Sequence, residues 1–258
     1  MKALVTGASS GIGKEIARIL SNMGYDLILV ARRKKLLEEF SKELNTNVEI
    51  INLDLSSTFN CMKLYNKVKK ENIDILINNA GFGIFGEFTE TDLDKELDLI
   101  DLNIKSVHTL TKLFLKDFKN RNSGYILNVA SSAGFMAGPL MSSYYASKNY
   151  VLRLTEAINE ELRVVKSNVY VGALCPGPVD TGFNDVAGVR FTVKSLNAFD
   201  VAKYAVDKMF KKKMIIIPGF SIRFFCFMTR FISTRMLLKI TYGIQKKKGS
   251  DLWKKVLL

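Results

Sequence analysis

Ala3-Leu4-Val5-Thr6-Gly7-Ala8-Ser9-Ser10-Gly11-Ile12-Gly13 passes from an apolar run into three spaced glycines, and Lys14-Glu15-Ile16-Ala17-Arg18-Ile19-Leu20 follows with helical spacing. That order is strand, glycine turn, helix. Residues without Cβ let a backbone turn sharply, approach a diphosphate closely, and aim the N–H groups and dipole of a helix N-terminus at its charge. Gly7, Gly11 and Gly13 supply those places, with Ser9, Ser10 and Ile12 as the rest of the cradle. Many strand-to-helix turns carry glycines for shape alone; position directly after a strand is what favours the dinucleotide reading.

Working outward, Met23-Gly24 reads as a helix stop and Tyr25-Asp26-Leu27-Ile28-Leu29-Val30 as a second strand, which ends at Ala31-Arg32-Arg33. In a dinucleotide fold an acid here bonds the adenosine ribose, whereas an arginine accommodates a 2′-phosphate. No acid is present, and arginine at a helix N-terminus opposes the dipole, so the pair needs a reason beyond solvation. The expectation is NADP(H), paired with Arg32 and with Arg33 as understudy. A helix over about 34–44 leads to a third strand, Val48-Glu49-Ile50-Ile51-Asn52-Leu53, and to Asp54-Leu55 at the adenine end of the cofactor site. Asp54 either accepts from an adenine amino group or caps the next helix through Ser56, Ser57 or Thr58. The fourth strand, Ile73-Asp74-Ile75-Leu76-Ile77, runs into Asn78-Asn79-Ala80-Gly81. Small and amide residues at this strand end belong at the ligand crevice of an open α/β sheet, where Asn amides can tie adjacent strands together.

Thr6-Gly-x-x-x-Gly-Ile-Gly13, Asp54-Leu55 and Asn78-Asn-Ala-Gly81, with the elements that follow, resemble the short-chain dehydrogenase/reductase family over residues 2–217. Each motif is modest alone; the combination at these separations is specific. The resemblance implies an α/β fold, a doubly wound, Rossmann-type parallel sheet of seven strands in the order 3-2-1-4-5-6-7, with Asn79, Ala80 and Gly81 against the cofactor.

Residues 94–118 carry Leu97, Ile100, Ile104, Val107, Leu110, Phe114 and Phe118 at the spacing of one long packed helix. Asn103 is a poor interior helix residue and marks a kink or a water site; by the resemblance it holds a water linking the active-site lysine to solvent. His108 is the one histidine and reads as a polar helix position, which excludes a histidine triad. A fifth strand, Gly124-Tyr125-Ile126-Leu127-Asn128-Val129-Ala130, delivers Ser131 and Ser132. The family spacing to Gly134 and Tyr144 selects Ser131 as the catalytic serine, with Ser132 as fallback. Tyr144 and Lys148 stand at i and i+4 on one helix face, a relation Tyr145 lacks. A phenol with pKa near 10 is a poor acid–base group at neutral pH, and a neighbouring ammonium with a positive nicotinamide ring stabilises its anion. Both residues also belong to the cofactor site. After a sixth strand at 169–174, Cys175-Pro176-Gly177-Pro178-Val179-Asp180-Thr181 resembles the family's Pro-Gly turn, which implies nicotinamide carboxamide binding by Val179 and Thr181 next to Pro176 and Gly177. Cys175 reads as packing.

A lid is expected over 182–196, then a capped helix from Asn197 and a seventh strand at 214–217. Phe82, Ile84, Phe85, Phe135, Met136, Leu140, Met141 and Phe183 suggest a hydrophobic carbonyl or alcohol substrate, against the competing reading of core and lid packing.

The 258 residues read as one domain. Net charge is +13, of which +11 falls on residues 199–258, so the body is nearly neutral and a nucleic-acid partner is not expected. Three cysteines lack metal-ligand spacing, and the first strand begins almost at Met1; the expectation is no metal and a reduced, cytoplasmic setting. The basic, aromatic extension over 220–258 fits a peripheral contact through 220–248 at the inner face of the membrane, a lid on the pocket, or a homodimer contact. The function expected is NADPH-dependent interconversion of a ketone or aldehyde and an alcohol. The alternative is a non-catalytic NADP-binding regulator or scaffold of the same fold, which the intact Asn103, Ser131, Tyr144 and Lys148 argue against.

Overall fold

A computed structural model describes residues 1–181 and 195–248 of the chain. Residues 182–194, which hold nearly all of the expected lid and its Phe183, and residues 249–258 lie outside the described residues. The strands are β1 (Lys2–Thr6), β2 (Asp26–Ala31), β3 (Val48–Asn52), β4 (Ile75–Asn78), β5 (Tyr125–Val129), β6 (Tyr170–Leu174), β7 (Val179–Asp180), β8 (Leu196–Asn197) and β9 (Ile215–Ile216). Seven of them form a parallel sheet in the order β3-β2-β1-β4-β5-β6-β9. This is the expected order, with β9 as the seventh strand. β7 and β8 form a separate parallel pair, so the last residue of the expected lid, Leu196, is strand.

Alternate strand residues face opposite sides, and both sides are buried. Ala3, Val5, Leu27, Leu29, Ile75 and Ile77 join one core with Ile16, Ala17 and Leu20 of α1 (Gly11–Asn22), Leu37 and Phe40 of α2 (Lys34–Ser41), and Val201, Ala202 and Ala205 of α7 (Ala198–Phe210). Leu4, Ile28, Val30, Leu76 and Ile126 join the other with Cys61 and Leu64 of α3 (Thr58–Val68) and Phe114 and Phe118 of α5 (Val107–Asn120). Burial on both faces is why these strands read as continuous apolar runs. The direction of strand addition reverses between β1 and β4, which places the crevice at their carboxyl ends.

The long helix departs from its expected phase. α4 (Leu93–Ile100) runs into a π-helical turn at Asp101–Ser106 and then into α5. The buried residues leading into the turn are Glu96 and Leu99, followed by Asn103 within it, while Leu97 is exposed. The wider turn takes up an extra residue, so everything upstream is rotated by one position from the face that spacing alone assigns. Such turns concentrate at functional sites, and this one carries Asn103.

α6 (Ser142–Val164) packs against the short 3-10 turn Ser132–Phe135. Asn197 caps α7 as expected, its side chain accepting from Phe199 N at 2.8 Å. Beyond β9, α8 (Phe220–Met228) buries Cys226, and α9 (Thr234–Lys248) buries Leu237, Thr241 and Gln245 at four-residue spacing.

Candidate active site

The glycine turn is locked to the ends of β2 and β4. Gly7 N donates to Val30 O at 2.8 Å; Thr6 Oγ1 donates to Ile77 O and accepts from the N–H groups of Asn79 and Ala80. Asn79 Nδ2 donates to Thr6 O and Gly7 O, both at 3.1 Å. Asn78 Nδ2 donates to Asn128 Oδ1 at 2.9 Å, so amides do tie β4 to β5. α1 starts at Gly11 with no side-chain cap from Ser10, and Gly7, Ser9, Ser10, Gly11 and Ile12 line one cleft. An uncapped helix start opening on a cleft is the donor set a diphosphate needs. Gly13 does not line it. A Cβ there would lie 2.3 Å from Asn79 Nδ2 and 2.7 Å from Gly7 O, so this glycine serves the close approach of helix to strand end.

At the far end of the cleft the two arginines part. Arg33 Nη2 donates to Ser9 Oγ at 3.0 Å and Ser10 Oγ at 2.6 Å. Arg32 Nη1 stands 3.7 Å from Asp54 Oδ2. Asp54 Oδ1 accepts from Ser56 N and Ser56 Oγ, each at 3.0 Å, so this carboxylate performs the turn-capping role. Arg32, Arg33, Asp54 and Leu55 all line the cleft, as do Asn79, Ala80, Gly81, Pro176, Gly177, Val179 and Thr181. Thr181 lies against Gly11, where an added Cβ would meet its Cγ2 at 2.9 Å.

Ser131, Tyr144 and Lys148 meet in the middle of the cleft. Ser131 Oγ accepts from Ala133 N at 3.1 Å, and Ser131, rather than Ser132, shares a hydrogen bond with the Tyr144 phenol. Lys148 is buried; its Nζ donates to Val129 O at 2.9 Å and lies 5.8 Å from the Tyr144 ring centroid. Burial pushes the Tyr144 phenol up to about 12, partly opposed by the Ser131 hydrogen bond. Burial also pushes Lys148 down to about 8, with Cys175 opposing. The expected lowering of Tyr144 by Lys148 does not operate in the protein alone, where desolvation sets the direction and Ser131 is the opposing group. Tyr144 is held protonated at neutral pH, a form suited to donating.

Asn103 sits behind the cleft. Its Nδ2 donates to Phe82 O at 2.9 Å and Ser147 Oγ at 3.1 Å, and its Oδ1 accepts from Phe82 N at 3.1 Å. The side chain therefore fastens the loop after β4 to α6. His108 Nδ1 pairs with Tyr150 Oη, outside the site. Cys175 is fully buried and its thiol is pushed far up by burial, which fits packing.

Of the residues expected to receive substrate, Phe82 and Met141 line the cleft, and Phe85 packs with Met141, Tyr144 and Tyr145. Phe135 packs instead with Val107, Val151 and Leu152 in the core. Met136 and Leu140 are buried. Sequence reasoning missed two residues. Tyr145 lines the cleft with its ring 6.1 Å from that of Tyr144, and its hydroxyl accepts from Gln245 of α9. The pair is separated by 100 residues, and no local spacing announces it.

The family model described as short chain dehydrogenase matches residues 1–189. An uncharacterized oxidoreductase of Staphylococcus saprophyticus is 35% identical over 212 residues, which cover 79% of this chain and 88% of that protein. Among solved structures, a short-chain dehydrogenase from Sphingobium yanoikuyae in complex with NADPH superposes with a TM-score of 0.80 at 30% identity, covering 88% of this chain and 91% of that one. The bulky-bulky ketone specific alcohol dehydrogenase from Comamonas testosteroni superposes with a TM-score of 0.74 at 29% identity, covering 84% and 86%.

Proposed function

We propose, for a chain that belongs to the short-chain dehydrogenase/reductase family and is a nicotinamide-dependent oxidoreductase, that its reaction is the NADPH-linked reduction of an apolar ketone or aldehyde to an alcohol, or the reverse. The observation that carries this reading is the convergence of Ser131, protonated Tyr144 and buried Lys148 in the cleft that also holds the Arg33–Ser9–Ser10 cluster.

Each residue has a task set by its chemistry. Arg33, with the Ser9 and Ser10 hydroxyls, receives the 2′-phosphate, and Arg32 lies within reach as a second cation. Gly7, Gly11 and Ile12 hold the diphosphate at the start of α1, and Asp54 and Leu55 border the adenine. Asn79, Ala80, Gly81, Pro176, Gly177, Val179 and Thr181 wall the nicotinamide half, with Val179 and Thr181 on the carboxamide. When bound, NADPH supplies the hydride and NADP⁺ takes it up. Ser131 orients the carbonyl oxygen; Tyr144 gives it a proton. Lys148 stabilises the phenolate so formed and holds the ribose hydroxyls. Asn103 has both amide hydrogens engaged, which leaves its main-chain carbonyl to hold the relay water.

The apolar preference rests on Phe82, Met141 and the Tyr145 ring at the substrate end, and the Comamonas enzyme described as specific for bulky ketones is a parallel. A cytoplasmic enzyme built as one catalytic domain, with 220–248 seated peripherally on the membrane, suits such a substrate. The test is NADPH consumption by the purified protein with ketones and aldehydes graded in apolar size. Fastest turnover on large apolar carbonyls is expected; fastest turnover on small polar ones contradicts the substrate reading, and none on any carbonyl contradicts the reaction.

A further inference from the structure

The outward face of α8 has no part in the reaction. Phe220, Phe224, Phe227 and Phe231 recur at i, i+4, i+7 and i+11, the spacing of one face carried just past the helix end. They are 79%, 57%, 52% and 69% exposed, and the last two rings touch edge-on with centroids 5.2 Å apart. One exposed phenylalanine is ordinary; a row of four on one face is an interaction surface.

Cations accompany the row. Arg223 folds back, its Nη2 2.7 Å from Tyr204 Oη. Arg230, Arg235, Lys239 and Lys246 are exposed, and no ion pair joins them to a described acid. On α9, Arg235, Lys239, Tyr242 and Lys246 repeat the same spacing while Leu237, Thr241 and Gln245 point inward. From 208 to 250 the sequence holds no Asp or Glu. Among the described residues no helix is long and apolar enough to cross a membrane, so this face suits lying on a surface.

We propose that α8 and α9 form a docking face for an anionic lipid bilayer, with the phenyl rings entering the boundary between headgroups and acyl chains and the cations resting among lipid phosphates. A second copy is the poorer occupant, because a two-fold contact through this face sets its cations against themselves. An acidic protein would need its own apolar strip to cover the row, which a bilayer presents everywhere. The inner side of α8 meets the active site: a Cβ on Gly177 would lie 2.9 Å from Ile222, and α8 packs on the Ser132–Phe135 turn. One helix thus separates the lipid-facing row from the catalytic turn. Supply of an apolar carbonyl from the lipid rests on the reductase reading, whereas docking does not.

The test is co-sedimentation of the full chain with vesicles of phosphatidylglycerol and phosphatidylcholine, against phosphatidylcholine alone, at low and high salt. Binding to the anionic vesicles roughly tenfold or more tighter, and weakening with salt, is expected. Neutralising Arg230→Gln or Lys239→Gln should weaken it about fivefold each. A Phe220→Ser, Phe224→Ser, Phe227→Ser variant should lose vesicle binding while keeping turnover of a water-soluble carbonyl. Equal binding to both vesicle types, wild-type binding by the phenylalanine variant, or a dimer dissolved by that variant without any vesicle binding overturns the proposal. Protein that sediments as expected but reduces nothing overturns the reductase reading alone.

Discussion

At the carboxyl edge of the sheet most buried polar groups are aimed at partners, Asn78 Oδ1 being an exception, whereas on the outer side of α8 and α9 apolar groups are exposed and Arg230, Arg235, Lys239 and Lys246 have no ion pair with a described acid. Asn79 bonds two carbonyls, Thr6 Oγ1 serves three backbone groups, and Lys148 Nζ is spent on Val129 O. The phenylalanine row has no such definition. A buried polar group must find a partner or lose about 1–3 kcal/mol, so the edge holds one geometry. The outer face needs only composition and a helical period, and a fluid partner demands no more.

The contrast is broken most severely at Lys148. Lys148→Met keeps the length of the side chain and removes a buried amine, so the protein should fold with stability unchanged or raised. Turnover should fall by a factor on the order of 10²–10⁴. Thermal unfolding and steady-state rates, measured together, check the pair; a variant that loses both would make Lys148 a structural residue.

A smaller break is expected at the adenosine end. Arg33→Ala should weaken NADPH by roughly tenfold to a hundredfold and NADH little, since a charge-assisted contact to a phosphate is lost. Arg32→Ala should cost less, because Arg32 lies toward Asp54. Cofactor titrations decide between them, and equal loss for both cofactors would remove the 2′-phosphate from the account.

Lys148 also predicts opposite pH trends. Burial lowers its pKa from 10.5 to about 8, so between those values the unfolded chain holds a proton the folded chain has released. Its contribution to stability rises with pH across that window. Reductase activity, which needs the ammonium, should fall through about pH 8, approaching tenfold per pH unit. A rate flat to pH 10 would show that the amine stays charged.

The least effect is expected where the two regions touch. Tyr145→Phe removes the hydroxyl that accepts from Gln245, leaving a buried amide short of a partner. A change of about 1–3 kcal/mol in stability is expected, with kcat nearly unchanged. Gln245→Leu in the same background should restore part of that loss, and chemical unfolding of the single and double variants measures the coupling.

What the sequence made legible follows the same division. The strands and the glycine cradle rest on apolar runs and short spacings, which a linear reading captures, while the strand order and the Ser131–Tyr144–Lys148 set follow from the family resemblance that those motifs carry. The phase of the helix before Asn103 was lost because one π-helical turn takes up an extra residue. Arg32 and Arg33 are neighbours in sequence, and their directions are decided in space: Asn52 Nδ2 holds the carbonyls of Ala31 and Arg32, while Ser9 and Ser10 meet Arg33. Phe135 went to the core by packing that no pattern encodes. The Tyr145–Gln245 contact joins elements 100 residues apart.

The central claim, proton donation by Tyr144 to a carbonyl reduced by bound NADPH, is tested most directly by a single turnover. Protein preloaded with NADPH is mixed with a large apolar ketone, and cofactor absorbance is followed for the wild type and for Tyr144→Phe. One equivalent of NADPH should disappear rapidly in the wild type, while the variant binds the cofactor equally well and oxidises it at least a hundredfold more slowly, on the order of the general-acid contribution. Comparable oxidation rates in the two proteins would contradict the account.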